Sequence, residues 1–192
     1  MSEKADTYNL ILDVAQHLVQ ERGFNAFSYK DISQALGIKN ASIHYHFPGK
    51  TDLGVALVRR YRNRLHQVLS QLQQQPQGAP QMLEVYLVGY RTVVHEDGRI
   101  CLCAALAADL NTLPESIQTE VAAFFQLNQD WLSRVMEQGS ESGQLKFSGS
   151  PQHAAEVFLA TLEGGMLLAR SYRDMGRFEQ IGRLAIQGLL AQ

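Results

Sequence analysis

The chain has 192 residues, 45% of them hydrophobic, and its 17 basic and 19 acidic side chains give a formal net charge of −2. A slightly acidic chain is not a generic polyanion binder, and two cysteines cannot supply the disulfide framework of a small secreted domain. No apolar stretch reaches the roughly 20 residues a membrane helix needs, and the opening MSEKADTYN is charged and polar, unlike a secretory signal, so a cytoplasmic location is expected.

Punctuation along the chain predicts an all-α protein of about nine helices, with no convincing strand. Asp6 is expected to cap a first helix whose Ile11, Val14, Ala15 and Leu18 form one stripe, with Gly23 closing it. Ser28 and Asp31 have the spacing of a capping box and start a second helix. Ile32, Ala35 and Leu36 mark its buried stripe, and Gly37 stands where a left-handed closing residue costs least. Beyond that turn Ile43 and Phe47 share a face, so the other side of a third helix presents Ala41, Ser42 and Tyr45, flanked by His44 and His46. A major groove about 12 Å wide accepts one helix whose N-terminal side chains are short or flat and polar. Ala41 and Ser42 meet that demand. Gly49 is the expected cap of a fourth helix, with Lys50 in its first turn, and such an end suits a phosphate. Helix, glycine turn, helix also fits three core helices of any bundle; the capping box, the polar outward face and the run ending in Lys50 favour DNA.

The fourth helix is expected from Lys50 to about Gln73, where the polar QQQPQGAPQ breaks it. A fifth covers roughly 80–96 and ends at Asp97-Gly98, and a sixth runs from Arg99 to Leu110. Pro114 opens a seventh that reaches about Ser142. After the connector GQLKFSGSP, Ser150 and Pro151 start an eighth that reaches about Arg173, and a ninth occupies roughly 175–191. In these last two helices Val157, Phe158, Leu159, Leu162, Met166 and Leu167, then Ile181, Leu184, Ala185, Ile186, Leu189 and Leu190, spread over more than one narrow stripe, so one face is expected to meet a second copy. Residues 1–64 carry a net +3 and residues 65–192 a net −5, a basic head on an acidic body. Arg59, Arg60, Arg62 and Arg64 add to the head, where a solvated face is a commoner role for such a cluster than phosphate contact.

Through Gly23-Phe24, Ser28, Asp31-Ile32-Ser33, Leu36-Gly37-Ile38 and the run from Ser42 to Leu53, SIHYHFPGKTDL, the chain resembles the tetracycline-repressor (TetR) family over roughly its first quarter. The resemblance implies a homodimer in which residues 1–50 form a helix-turn-helix DNA-binding domain and residues 51–192 a helical ligand-binding and dimerisation domain. It implies phosphate contacts at Ser28, at His44 and at the helix start of Lys50. Base contacts are implied around Lys39, Asn40, Ala41, Ser42 and Tyr45, and Tyr29 belongs to the same DNA-binding set. The family usually carries Tyr where this chain has His44. The partners so implied are a double-stranded DNA operator, a small-molecule inducer and a second copy joined through helices eight and nine, with no membrane. The expected function is a ligand-responsive transcriptional regulator, a repressor released by its inducer.

Candidate inducer-pocket residues are Tyr86, Tyr90, Cys103, Phe124, Leu127, Trp131, Phe158, Glu163 and Met166, all in apolar stretches, although aromatic and Met residues at helical spacing are more often core packing. Glu163, in an otherwise oily helix, either meets a cationic or hydroxylated inducer or is hydrogen-bonded across a helix interface. Cys101 and Cys103 read as small buried side chains or, alternatively, as a thiol sensor of oxidants or electrophiles on the same scaffold. Enzyme signatures fail. Gly49-Lys50-Thr51 mimics the end of a phosphate-binding loop, yet His44 stands where its first glycine would be. His44 and His46 diverge on a helix and have no partner at metal-ligand spacing. No enzyme activity, cofactor or metal is expected.

Overall fold

A computed structural model describes residues 3–93 and 99–191. Among these the chain forms nine α-helices: α1 (Glu3–Arg22), α2 (Tyr29–Leu36), α3 (Asn40–His46), α4 (Lys50–Gln73), α5 (Ala79–Arg91), α6 (Leu102–Ala108), α7 (Glu115–Glu141), α8 (Pro151–Tyr172) and α9 (Met175–Gln187). Short 3-10 turns cover Phe24–Ala26 and Leu110–Thr112. One isolated antiparallel bridge, Leu145 with Leu190, accompanies them.

The chain divides into two compact units, residues 1–64 with 102–124 and residues 65–101 with 125–192. In the first, Ile11, Leu12, Ala15 and Val19 of α1 are fully buried, as are Ile32 and Ile43, and Phe24, Phe27 and Phe47 are nearly so. Asn25 Nδ2 donates to Thr112 Oγ1 at 2.7 Å, tying the two 3-10 turns together. At Gly54 an added Cβ would lie 2.4 Å from Ile117 Cδ1 and 2.9 Å from the Phe24 ring, so α4 approaches α7 at a distance only glycine permits. Helices α1 to α3 thus share one packed unit with residues 102–124, a grouping no local sequence signal announces. In the second unit the cores of α5, α7, α8 and α9 meet through Leu83, Leu87, Leu132, Val135, Leu162, Met166, Ala169 and Phe178, all buried.

Helix ends differ from the sequence expectations for identifiable reasons. α1 begins at Glu3, so Asp6 lies inside it rather than capping it. α5 stops at Arg91, where Thr92 Oγ1 donates back to the Gly89 carbonyl at 2.7 Å. The expected Asp97-Gly98 turn lies outside the described residues. α6 spans only Leu102–Ala108, because the backbone tightens into the 3-10 turn at Leu110. α9 ends at Gln187, and the backbone beyond it pairs with another segment: Lys146 N–H donates to the Leu189 carbonyl at 2.8 Å and Ala191 N–H to the Gln144 carbonyl at 3.1 Å. No helix among the described residues is long and apolar enough to cross a membrane.

Candidate functional site

The capping box at Ser28 forms, and Asp31 is its hub. The Asp31 carboxylate accepts the Ser28 N–H at 2.8 Å and the Ser28 hydroxyl at 2.7 Å, and these bonds hold its pKa below the usual carboxylate range. Gly37 follows α2 at φ 65°, in the left-handed region, and turns the chain into α3. α3 is seven residues long and sorts its side chains sharply. Ile43 is fully buried and Phe47 2% exposed, while Lys39, Asn40, Ala41, His44 and Tyr45 are exposed and Ser42 is half-buried. Tyr45 is 68% exposed. A helix with this face can lie in a groove without first moving any apolar core residue.

Two members of the expected DNA-binding set turn inward. Tyr29 donates its hydroxyl to the Phe47 carbonyl at 2.9 Å, and burial, with the Asp52 charge adding to it, pushes its pKa up to about 12. It ties α2 to the segment that follows α3. Lys50 donates its ammonium to the Phe27 carbonyl, and its Nζ lies 4.3 Å from the Phe27 ring centroid and 4.8 Å from that of Phe24. Burial lowers its pKa. What remains at this helix start is the backbone, where the Gly49 N–H is already capped by Asp52 at 2.8 Å. His44 donates Nδ1–H to the Pro48 carbonyl at 3.2 Å and meets Tyr29 edge-on at 4.8 Å. With Nδ1 so engaged, Nε2 donates to a phosphate only when the ring carries both protons.

The arginines of α4 form ion pairs, with Arg59 and Arg64 remaining solvated. Arg59 and Arg62 reach the buried Glu120 at 2.5 and 3.2 Å, and Arg60 reaches Asp13 at 2.8 Å with Arg64 at 3.8 Å. They tie α4 to Asp13 and Glu120 in the first unit.

The second unit holds a buried polar cluster. Tyr86 stacks on Trp131 with centroids 5.4 Å apart and planes 17° apart, and lies 4.9 Å from Tyr90 and 6.4 Å from Phe158. Tyr86 donates its hydroxyl to Asn128 Oδ1 at 2.6 Å, and Tyr90 faces Asn128 Oδ1 at 3.3 Å and Glu163 Oε1 at 3.2 Å. Glu163 also accepts a hydrogen bond from the Cys101 thiol. Burial raises the Glu163 pKa to about 7, only partly opposed by the bonds from Tyr90 and Cys101. Burial likewise holds both tyrosines well above their ordinary value.

Of the expected pocket residues, Tyr86, Tyr90, Trp131, Phe158 and Glu163 thus come together. Met166 is fully buried in the same unit, and Leu127 is half-buried there. Cys103 and Phe124 belong to the first unit, where Phe124 packs on Tyr61 at 5.3 Å. Asn128 was not among the expected residues. Its signal is its place between Phe124 and Trp131, four and three residues away, which puts an amide on an apolar stripe.

On α8 and α9 the structure leaves large apolar side chains outside: Val157 and Leu184 are each 67% exposed, and Leu167, Leu168 and Tyr172 are exposed as well. Val157, Leu184, Phe147 and Ile181 line an open groove of about 910 Å³ on this face. Leu159, Leu162, Met166 and Ile186 are buried in the core, as is Phe158, which also lines the groove.

Residues 11–57 match the model of the bacterial regulatory proteins of the tetR family, and residues 80–184 match the tetracyclin repressor-like C-terminal domain. The chain is 26% identical over 179 residues to the HTH-type transcriptional repressor NemR of Escherichia coli, covering 91% of this chain and 89% of NemR. It is 23% identical over 185 residues to the HTH-type transcriptional repressor DhaR of a Mycobacterium species, covering 92% of each. Among solved structures, a TetR-family transcriptional regulator from Agrobacterium tumefaciens superposes with a TM-score of 0.94 at 36% identity, covering 98% of this chain and all of that one. A TetR regulator from Legionella pneumophila gives 0.88 at 35% identity, covering 98% of each. With both family models matched in order along one chain, and with a reading helix of this geometry, the protein belongs to the tetR family of bacterial regulatory proteins.

Proposed function

We propose that this protein is a ligand-responsive repressor: a cytoplasmic homodimer whose α3 helices read a DNA operator and which a small molecule, bound in the Tyr86–Tyr90–Asn128–Glu163 cluster, releases. The observation that carries the DNA assignment is the outward face of α3, with Tyr45 exposed above a buried Ile43 and Phe47. Residues 1–50 carry the DNA contacts in this reading and residues 51–192 the ligand and dimer contacts. Lys39, Asn40, Ala41, Ser42 and Tyr45 face the bases. Ser28, His44 and the backbone at Lys50 face phosphates, while the Tyr29 and Lys50 side chains hold the reading helices in register. That NemR and DhaR are named repressors supports the sign of control. The protein acts by binding and is not an enzyme.

The second copy docks on the exposed face of α8 and α9. Two symmetric reading helices then match half-sites about 34–36 Å apart, or a multiple of that spacing. An inducer switches the protein only if it binds the DNA-competent and DNA-incompetent arrangements unequally.

Binding-site selection from random duplexes, followed by titration at increasing salt, tests the assignment. The selected site is expected to bind at least about a thousandfold tighter than random DNA, with log affinity falling by about 0.9 per contacted phosphate for each log unit of salt. Equal affinity for both duplexes overturns it. Leu184→Glu, which places a charge in the dimer face, is expected to weaken dimerisation by about 2 kcal/mol or more, seen by sedimentation, and to lower operator affinity in step. A Leu184→Glu protein that stays dimeric moves the interface elsewhere.

A second reading rests on Cys101, whose thiol bonds to Glu163 within the same cluster. There an electrophile acts in place of a reversible ligand. N-ethylmaleimide that releases operator DNA from the wild type but not from Cys101→Ser supports it, and equal release from both removes it.

A further inference from the structure

The geometry points to a ligand that carries a cationic nitrogen, held by the Glu163 carboxylate beside the rings of Tyr86, Tyr90 and Trp131; this deepens, and rests on, the assignment of that cluster as the inducer site. The two tyrosine hydroxyls of the cluster have no proton to spare for the second Glu163 oxygen. Tyr86 gives its one hydroxyl proton to Asn128 Oδ1 at 2.6 Å. Tyr90 has one proton for two acceptors, Asn128 Oδ1 at 3.3 Å and Glu163 Oε1 at 3.2 Å. Glu163 Oε2 is buried with no hydrogen-bond partner, and the indole N–H of Trp131, itself unpartnered, does not serve it. A buried acceptor left unmade is costly, and a ligand that fills it gains what the fold lacks.

Charge then decides which donor fits. Besides burial, the described side chains that act on Glu163 are Tyr90 and Cys101, and no lysine, arginine or histidine is among them. An ionised carboxylate there has no counter-charge from the described residues, and a neutral hydroxyl would supply none. The neighbouring rings present π faces that attract cations. A buried carboxylate bonded to Tyr90 and close to Tyr86 is the chemistry that recognises an ammonium or amidinium group.

Trp131 is the only tryptophan and stacks on Tyr86, so its emission reports on the site directly. The test titrates the full-length protein with benzylamine, benzyl alcohol and benzoate, which share a ring and differ in charge. Benzylamine is expected to change Trp131 emission at concentrations about tenfold below those of benzyl alcohol, with benzoate silent, and Glu163→Gln is expected to erase that advantage. Benzyl alcohol or benzoate acting as well as benzylamine overturns the proposal. So does benzylamine binding untouched by Glu163→Gln, or no response to any of the three. Should Glu163→Gln fail to fold by circular dichroism, the ranking in the wild type decides alone. Operator release measured in parallel separates the two readings. Benzylamine that binds without releasing DNA removes the inducer assignment and keeps the cation site, whereas release by benzyl alcohol with benzylamine inert removes the cation site and keeps the inducer assignment.

Discussion

Glu163→Gln is expected to gain stability relative to the wild type as pH rises from 5 to 8. The folded carboxyl titrates at about 7, against 4.5 for the unconstrained group, so the folded state holds its proton more tightly than the unfolded chain does. The sign follows from linkage. The stability tied to the protonated group is present in full below pH 4.5 and is lost as pH rises through 7, because the buried carboxylate must then ionise. A shift of this size corresponds to about 3 kcal/mol, or roughly 6–12 °C in melting temperature for a chain of this length. Glutamine keeps an acceptor for Tyr90 and Cys101 but does not titrate. Melting curves of both proteins at pH 5, 6, 7 and 8 check this: the difference should open through pH 7 and then level. Parallel curves across the range would mean that Glu163 is solvated at every pH. Tyr86 and Tyr90 stay neutral throughout, since burial moves them upward. A bound cation would reverse the effect by stabilising the carboxylate.

Tyr45→Ala is expected to weaken binding to the selected operator by about 1–3 kcal/mol while leaving binding to random duplex within a few tenths of that. Tyr45 lies 68% exposed on α3, so its removal opens no cavity and thermal stability should be unchanged. Lys50→Ala is the contrasting case. Because its ammonium donates to Phe27 and sits over two rings, removing it should lower stability and weaken all sequences alike. Gel shifts on selected and random duplexes, paired with melting curves, separate the two behaviours. If Tyr45→Ala lowers both affinities equally, Tyr45 touches backbone and not base.

The sequence by itself determined the helices and the sidedness of the reading helix. Caps and breakers act within a few residues: Ser28 with Asp31, Gly37 in the left-handed region, and Ser150 before Pro151 all form as their spacing demands. The alternation of Ile43 and Phe47 against Ala41, Ser42 and Tyr45 likewise fixes which side of α3 faces out, because helical periodicity is local. Only the tertiary structure decided where long polar side chains go. Lys50 and Tyr29 look like DNA ligands in a line of residues, yet each meets a carbonyl 23 or 18 residues away. The α4 arginines find Glu120 and Asp13 in the same manner. The polar cluster joins Tyr86, Asn128 and Glu163 from three helices, and the end of α9 is set by a backbone bridge to residue 145. Flexible side chains and loop backbones choose partners by proximity in space, and proximity is a property of the packed chain that short-range sequence pattern does not encode.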